Sequence, residues 1–341
     1  IITRTGETFA IVGRYEADAV RRSKVYTQVI PYDKSIEPDL IKTLSILDPG
    51  NIAINYSLND VHADGLSHGM YQLLLKYLTG TRFIDRLLSA ESLIAALRGR
   101  KTSSEIECIR SAVKTTQLIF EHTFKYMRPG MTEIEVAEFM HSQLASLGVG
   151  PAWNIDHCPA VNTGPNSPVG HSGPTELKIE PGHIVHFDFG VRQCDYCSDI
   201  QRVVYYLKPG ESQPPASVQH GFNVIVQAIK QAVSAIKPGV QGKEIDAVAR
   251  GVVTGAGYPE YLYATGHQLG RTAHDGAGLL GPQWERYGET PNYRIEPGQV
   301  YTVEPGIAIP GYGYIGLEED VLVVDDGAVY LGEPQTELIT R

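Results

Sequence analysis

The sequence predicts an α+β chain in two parts, a smaller α/β region over residues 1–100 and a larger region over residues 104–341 made of two related halves. Three observations carry this. Residues 1–97 alternate short β-forming runs with helical stretches, the pattern of an α/β unit. Further along, IEPGHIVHFDFG at 179–190 returns as IEPGQVYTVEPG at 295–306, 116 residues later. RPGMTEIEV from Arg128 also recurs as KPGVQGKEI from Lys237, in the same order and 109 residues on. Chance explains one such match better than two, so each half reads as a helix begun at Pro-Gly and followed by a hairpin.

In the first region the β-forming runs are residues 8–13, 26–30 and 51–56, and the helical stretches are 67–77 and 90–97. No chemical constellation is visible there, which suits a lid or assembly domain. Ile1 is not an initiator methionine and ITRTGETFAIV opens in mid-pattern, so the natural chain is expected to be longer and this domain incomplete. The polar run RGRKTSS at 98–104 is the expected boundary. A long helix should follow, with Ser104 and Glu107 at capping-box spacing and Ile106, Ile109, Val113, Leu118 and Phe120 as its apolar positions. Thr132 and Glu135 repeat the capping box for the next helix, residues 153–174 read as a Gly- and Pro-rich loop, and 216–236 is the matching long helix of the second half.

The chemistry begins at 179–203. Asp188 and Asp199 each sit among β-formers, with the polar stretch 192–195 between them as a turn. A turn centred near Gln193 and Cys194 would set the two acids opposite each other, with Cβ atoms about 4.5–5.5 Å apart. Burying two such charges costs several kcal/mol unless a cation compensates or one takes a proton. The second half offers its own pair, Glu304 in VYTVEPGIAI and Glu318 in YIGLEEDVLVV, with IPGYGYIG between them as the turn. Two acidic hairpins folded face to face would bring four carboxylates into one pocket, which is how oxygen-rich metal sites are built. Three histidines flank these pairs: His171 ahead of the first, His267 and His274 in ATGHQLGRTAHDGAG ahead of the second.

Composition bounds the function. The formal net charge of −10 argues against a nucleic-acid partner and fits an enzyme of small substrates. No apolar run approaches the roughly 18 residues a membrane span needs, so no membrane role is expected; no signal-like start is visible, but a longer natural chain leaves room for a removed targeting segment. Cys108, Cys158, Cys194 and Cys197 are too few and scattered for a disulfide scaffold. The lone CxxC lacks partner ligands for a structural zinc, leaving free thiols in a reducing compartment and the cytoplasm as the expected location.

These residues resemble the metallopeptidases of the prolidase, aminopeptidase P, methionine aminopeptidase and creatinase group, which share the pita-bread fold and its internal pseudo-two-fold repeat. The resemblance runs from about Ser104 to the C-terminus, preceded by what looks like the tail of a creatinase-type N-terminal domain. It implies a ligand set of Asp188 in DFG, Asp199 in SDIQR, His267 in GHQLG, Glu304 in VEPG and Glu318 in LEED. By the same resemblance Asp199 and Glu318 bridge two ions, Asp188 chelates one, and His267 with Glu304 holds the other. Such oxygen-rich ligands favour manganese first, with cobalt, iron or zinc as alternatives. Two ions about 3.5–4 Å apart would make a shared water acidic enough to attack near neutral pH. Glu304 would carry its proton to the leaving nitrogen, and the catalytic, substrate-binding His171 and His274 would steady the oxyanion.

Within the group, the N-terminal remnant and the HSGP and GHQLG contexts point to hydrolysis before proline in short peptides, by a dipeptidase or an aminopeptidase P acting as a homodimer. One departure stands out. Gly316 occupies a place where many relatives carry arginine, and Arg271, Arg286 and Arg294 are the candidates to replace it as carboxylate reader. His186 shares strand parity with Asp188 and can face the same site. The alternatives are a creatinase-like hydrolase or a lyase on the same fold, or a non-catalytic peptide-binding module.

Overall fold

The computed structural model describes every residue except His171. The chain divides into two units, Ile1–Ser57 with Ala63–Glu91, and Leu58–His62 with Ser92–Arg341. The first unit holds two short parallel strand pairs, Phe9–Gly13 with Gln28–Tyr32 and Ile52–Ile54 with Leu87–Ser89. Parallel strands need crossover connections, and helix Ala17–Ser23 supplies the first. That helix and Glu37–Leu47 were not foreseen; between them they fully bury only Ala17, Thr43 and Leu44, although Leu40 and Ile41 pack beside Leu44. Helix His68–Leu78 lies where expected, with the Ser67 hydroxyl accepting from the Met70 N–H at 3.3 Å.

The second unit starts its long helix at Ser103–Tyr126, capped by Thr102 and Glu105 rather than Ser104 and Glu107. Both pairs satisfy the spacing. The earlier one is used because Glu105 is anchored from outside, its Oε1 accepting from the Tyr196 hydroxyl at 2.6 Å. Ile109, Val113 and Phe120 are buried on this helix, but Leu118 lies off their stripe and is exposed. Thr132 and Glu135 do form the expected box at the head of Glu133–Leu147. Helices Ala216–Ala235 and Gly242–Gly255 follow in the second half of the unit.

The sheet that carries Asp188 has the order Ile339–Thr340, Ile200–Tyr205, Ile184–Phe189, Ala160–Thr163. The last of these corrects the loop expected over 153–174. Its four residues follow Pro159 and carry the polar Asn162 and Thr163, so nothing in the sequence sets them apart from loop. The hairpin turn also differs from expectation: it centres on Cys194 and Asp195, both left-handed at φ 52° and 64°, as a two-residue type I′ hairpin demands. Moving the centre by one residue moves the partner by two. Asp188 therefore faces Gln201, and Asp199 sits just before the strand. Because the shift is even, Asp199 keeps the face that Asp188 uses.

In the second hairpin Val300–Val303 pairs with Glu319–Val324, and Gly306–Ile309 pairs with Gly313–Gly316. Glu304 and Glu318 fall in the break between these ladders, and one further step of the Val303↔Glu319 register sets them opposite each other. The core explains why the acids turn inward. Val185, Phe187, Phe189, Ile200 and Val204 pack into one apolar cluster with the helices Ser103–Tyr126 and Glu133–Leu147. Ile184, Val203 and Tyr205, on the opposite face, pack with Ala216–Ala235, Gly242–Gly255 and the second hairpin. Asp188 shares this second face, so it is aimed at the residues of the other half.

Candidate metal centre

Asp199, His267 and Glu318 each offer a ligand atom within 4.8 Å of the other two, and all three are buried. Glu304 joins them through Oε1, 3.5 Å from His267 Nε2, and Asp199 Oδ2 lies 3.8 Å from the same nitrogen. Asp188 lies within hydrogen-bonding reach of Asp199, and both Asp188 and Glu304 are only half-buried. The ring of His274 lies against that of His267, tilted by 33° at 4.0 Å between centroids, and is itself exposed. His171 lies outside the described residues.

Four acids this close cannot all be charged without a counter-ion. Burial pushes the Asp188 carboxyl up to about 7 against the opposing effect of a hydrogen bond with Asp199. Burial, then the charge of Asp188, lifts Glu304 to about 8. Asp199 and Glu318 are held well above the carboxylate range, first by burial and then by a neighbouring charge, that of Asp188 for Asp199 and that of Asp199 for Glu318. Asp188 Oδ1, Asp199 Oδ1 and both Glu318 oxygens meet no hydrogen-bond partner among the described residues. Orphaned buried oxygens are costly. A divalent cation removes that cost, and a set of four carboxylates with one imidazole is suited to manganese, cobalt, iron or zinc.

Several supports of this cluster were not singled out in the sequence. Asp320 Oδ2 accepts the Asp199 backbone N–H at 3.1 Å and fixes the turn into the strand. Arg202 is buried and donates to both oxygens of Glu319 at 2.9 and 3.0 Å, and to the carbonyls of Gln201 and Glu318 at 2.8 and 3.0 Å. The chain leading into His267 is tied from the helix Gly242–Gly255: Asp246 Oδ1 accepts from Thr265 Oγ1 at 2.8 Å and pairs with Arg250 at 2.7 Å. Gly266 has to be glycine, since a Cβ there would come within 1.9 Å of the Thr302 carbonyl. The signal for these residues was present only as charged side chains inside apolar strands and helices, in EEDVLVV, IQRVVY and EIDAVAR.

The three candidate arginines are engaged elsewhere. Arg271 lies over the Tyr196 ring at 5.7 Å and near Asp195 at 3.6 Å. Arg286 donates to the Leu262 carbonyl at 2.5 Å, and Arg294 to that of Gly239 at 2.5 Å. All four cysteines are free, Cys158 and Cys197 buried and Cys194 exposed. No helix among the described residues is long and apolar enough to cross a membrane.

A mixed helix and sheet scaffold that closes carboxylates and an imidazole into one buried cluster defines a class of protein suited to holding divalent cations. Comparison with known proteins gives the family within that class. The family model described as Metallopeptidase family M24 matches residues 107–325, and the chain belongs to that family. It is 31% identical over 306 residues to "Uncharacterized peptidase YqhT" of Bacillus subtilis, covering 88% of this chain and 82% of the relative. It is 30% identical over 328 residues to "Uncharacterized peptidase SSP1059" of Staphylococcus saprophyticus, covering 96% and 85%. Among solved structures, the Xaa-Pro dipeptidase from Bacillus anthracis superposes with a TM-score of 0.76 at 28% identity, over 97% of this chain and 86% of that one. The prolidase from Pyrococcus furiosus superposes with a TM-score of 0.71 at 25% identity, over 97% and 88%. The X-Pro aminopeptidase from Thermotoga maritima shares the fold, with a TM-score of 0.74 at 24% identity, over 98% of this chain and 88% of that one.

Proposed function

We propose that this member of the M24 family is a dinuclear-metal-dependent peptidase that cleaves the bond before proline in short peptides, as an Xaa-Pro dipeptidase or an aminopeptidase P. The observation that carries the proposal is the convergence of Asp199, His267 and Glu318, with Asp188 and Glu304 beside them, on a pocket whose buried oxygens lack hydrogen-bond donors. The dipeptidase and prolidase names of the structural neighbours support the choice of substrate. Residues 104–341 would form the catalytic domain, a pita-bread fold with a pseudo-two-fold repeat, and residues 1–100 a smaller creatinase-type domain. The protein would work as a cytoplasmic homodimer.

In this reading Asp188, Asp199, His267, Glu304 and Glu318 hold two divalent ions, manganese first. The ions, when bound, supply Lewis acidity to the substrate carbonyl and lower the pKa of water. Glu304 has the position to take a proton and deliver it to the proline nitrogen, since its Oε1 faces His267 and its carboxyl keeps an opening to solvent. His274, lying against His267 and reaching solvent, would place an imidazole N–H toward a developing oxyanion, with His171 as its expected counterpart.

The test is amino-acid release by the manganese-reconstituted protein from Ala-Pro, Ala-Pro-Ala and Ala-Ala-Ala. Cleavage of Ala-Pro alone makes it a dipeptidase, and cleavage of Ala-Pro-Ala makes it an aminopeptidase P. Release from none of the three, with manganese bound, rejects the specificity.

A further inference from the structure

Behind Glu304 lies a chain of buried polar side chains with no role in the chemistry so far. The strand register places Asn162 beside His186 and Asp188 beside Gln201, all on the face that looks into the site. Asn162 donates from Nδ2 to the Pro168 carbonyl at 2.8 Å and to Ser167 Oγ at 3.2 Å, which leaves its Oδ1 facing His186 Nδ1 at 3.1 Å. His186 Nε2 faces Gln201 Oε1 at 2.9 Å, and Gln201 Nε2 donates to Glu304 Oε2 at 3.2 Å. Asn162, His186 and Gln201 are 4%, 3% and 7% exposed, so water does not compete for these bonds. Both ring nitrogens of His186 face amide oxygens, so the neutral ring donates to only one of them, and the tautomer with the proton on Nε2 gives that bond to Gln201 Oε1.

The residue opposite supplies the room. A Cβ on Gly316 would stand 2.4 Å from Gln201 Oε1 and 2.7 Å from His186 Nε2, both too close for any real side chain. The Gln201 head group cannot swing aside freely, because its Nε2 is bonded to Glu304 on the far side. The space that a side chain at 316 would fill is thus taken by Gln201 and His186. Tyr314, two residues earlier, meets the His186 ring edge-on at 5.2 Å, and its hydroxyl bonds that of Tyr263 at 2.6 Å. Tyr263 in turn donates to the Glu304 carbonyl at 3.2 Å. The carboxylate and the backbone of Glu304 are therefore held from one corner.

We infer that Gln201, anchored by His186 and admitted by Gly316, is a positioning residue that pins Glu304 Oε2 and so presents Oε1 on the His267 side of the pocket. The inference rests on the metallopeptidase reading for what Oε1 then does, but its geometry does not. Supporting side chains around metal ligands are worth about 10–100-fold in affinity or activity.

The experiment compares Gln201→Leu, Gly316→Ala and the double variant with the wild-type chain, reading the manganese isotherm of the stripped proteins by calorimetry together with kcat, KM and the melting temperature. Gln201→Leu keeps the bulk and loses the bond. It should weaken manganese binding by about tenfold and lower kcat by about 10–100-fold with KM little changed. Gly316→Ala should reproduce that pattern with Gln201 intact, and the double variant should be no worse than the weaker single one, because both act through one contact. An unchanged isotherm and kcat in Gln201→Leu overturns the inference, even if the protein melts earlier. Additive losses in the double variant overturn the part assigned to Gly316. If the wild-type chain cleaves no peptide, the peptidase reading fails while the manganese isotherms still decide the inference.

Discussion

Arg202→Met tests how the site is held in place. The guanidinium is 6% exposed and makes five hydrogen bonds: two to Glu319 and one each to the carbonyls of Gln201, Glu318 and Glu333. Burial already pushes the Glu319 carboxyl above its usual range, and Arg202 is the main force opposing that. Methionine removes the opposing charge and strands both the carboxylate and three carbonyls. Breaking a buried pair from one side costs about 3–5 kcal/mol. At about 2–4 °C per kcal/mol for a unit of this size, the midpoint should fall by about 6–20 °C. The double variant Arg202→Met with Glu319→Leu removes both charges and should regain part of the loss, the three carbonyls and the Gln335 N–H that Glu319 accepts at 3.0 Å being the part not recovered. Melts followed by circular dichroism, in metal-free buffer and with manganese, give both numbers. A single variant that melts within about 2 °C of wild type would refute the reasoning, as would a double variant less stable than the single.

Two further outcomes follow from the acids themselves. Glu304→Gln keeps the shape of the residue but cannot take a proton, so kcat on the peptide that the wild type cleaves should fall by about 10²–10⁴-fold with the fold intact. Near wild-type turnover with both ions bound would remove Glu304 from the mechanism. Stripped of metal, the native protein holds protons at Asp188 and Glu304 that the unfolded chain releases above the ordinary carboxylate range of about 4. That stability is complete below this range and is lost as pH rises through about 7 and about 8, the folded values of the two groups. The stripped protein should therefore melt lower at pH 8.5 than at pH 5.5, and manganese should raise the midpoint more at the higher pH. A metal-free midpoint that rises over this interval contradicts the arrangement of raised acids.

The parts of the fold that could be read from the sequence are those with a local cause. Thr132 with Glu135, the strand around Asp188 and the long helix after Pro215 each carry a cap, a period or a breaker that needs no distant partner. Register was legible only to its parity: the hairpin turn came one residue later because Cys194 and Asp195, not Gln193, accept the left-handed backbone. The strand Ala160–Thr163 could not be seen, since it exists by pairing with the Asp188 strand and not by its own residues. In the site, acids inside apolar runs announced themselves, whereas Gln201, Asp320 and Arg202 gain their meaning from residues more than 100 positions away. Gly316 shows the same limit from the other side. Its missing side chain was visible, and what fills the space was not.

The most direct measurement is the manganese isotherm of the stripped wild-type protein beside that of Asp199→Asn. Asp199, His267 and Glu318 lie within 4.8 Å of one another, with Glu304 and Asp188 adjoining, so the wild type should bind two equivalents. Asp199→Asn, which alters a ligand expected to serve both ions, should lose both. One equivalent or none in the wild type, or two retained in the variant, would contradict a dinuclear centre built on these residues.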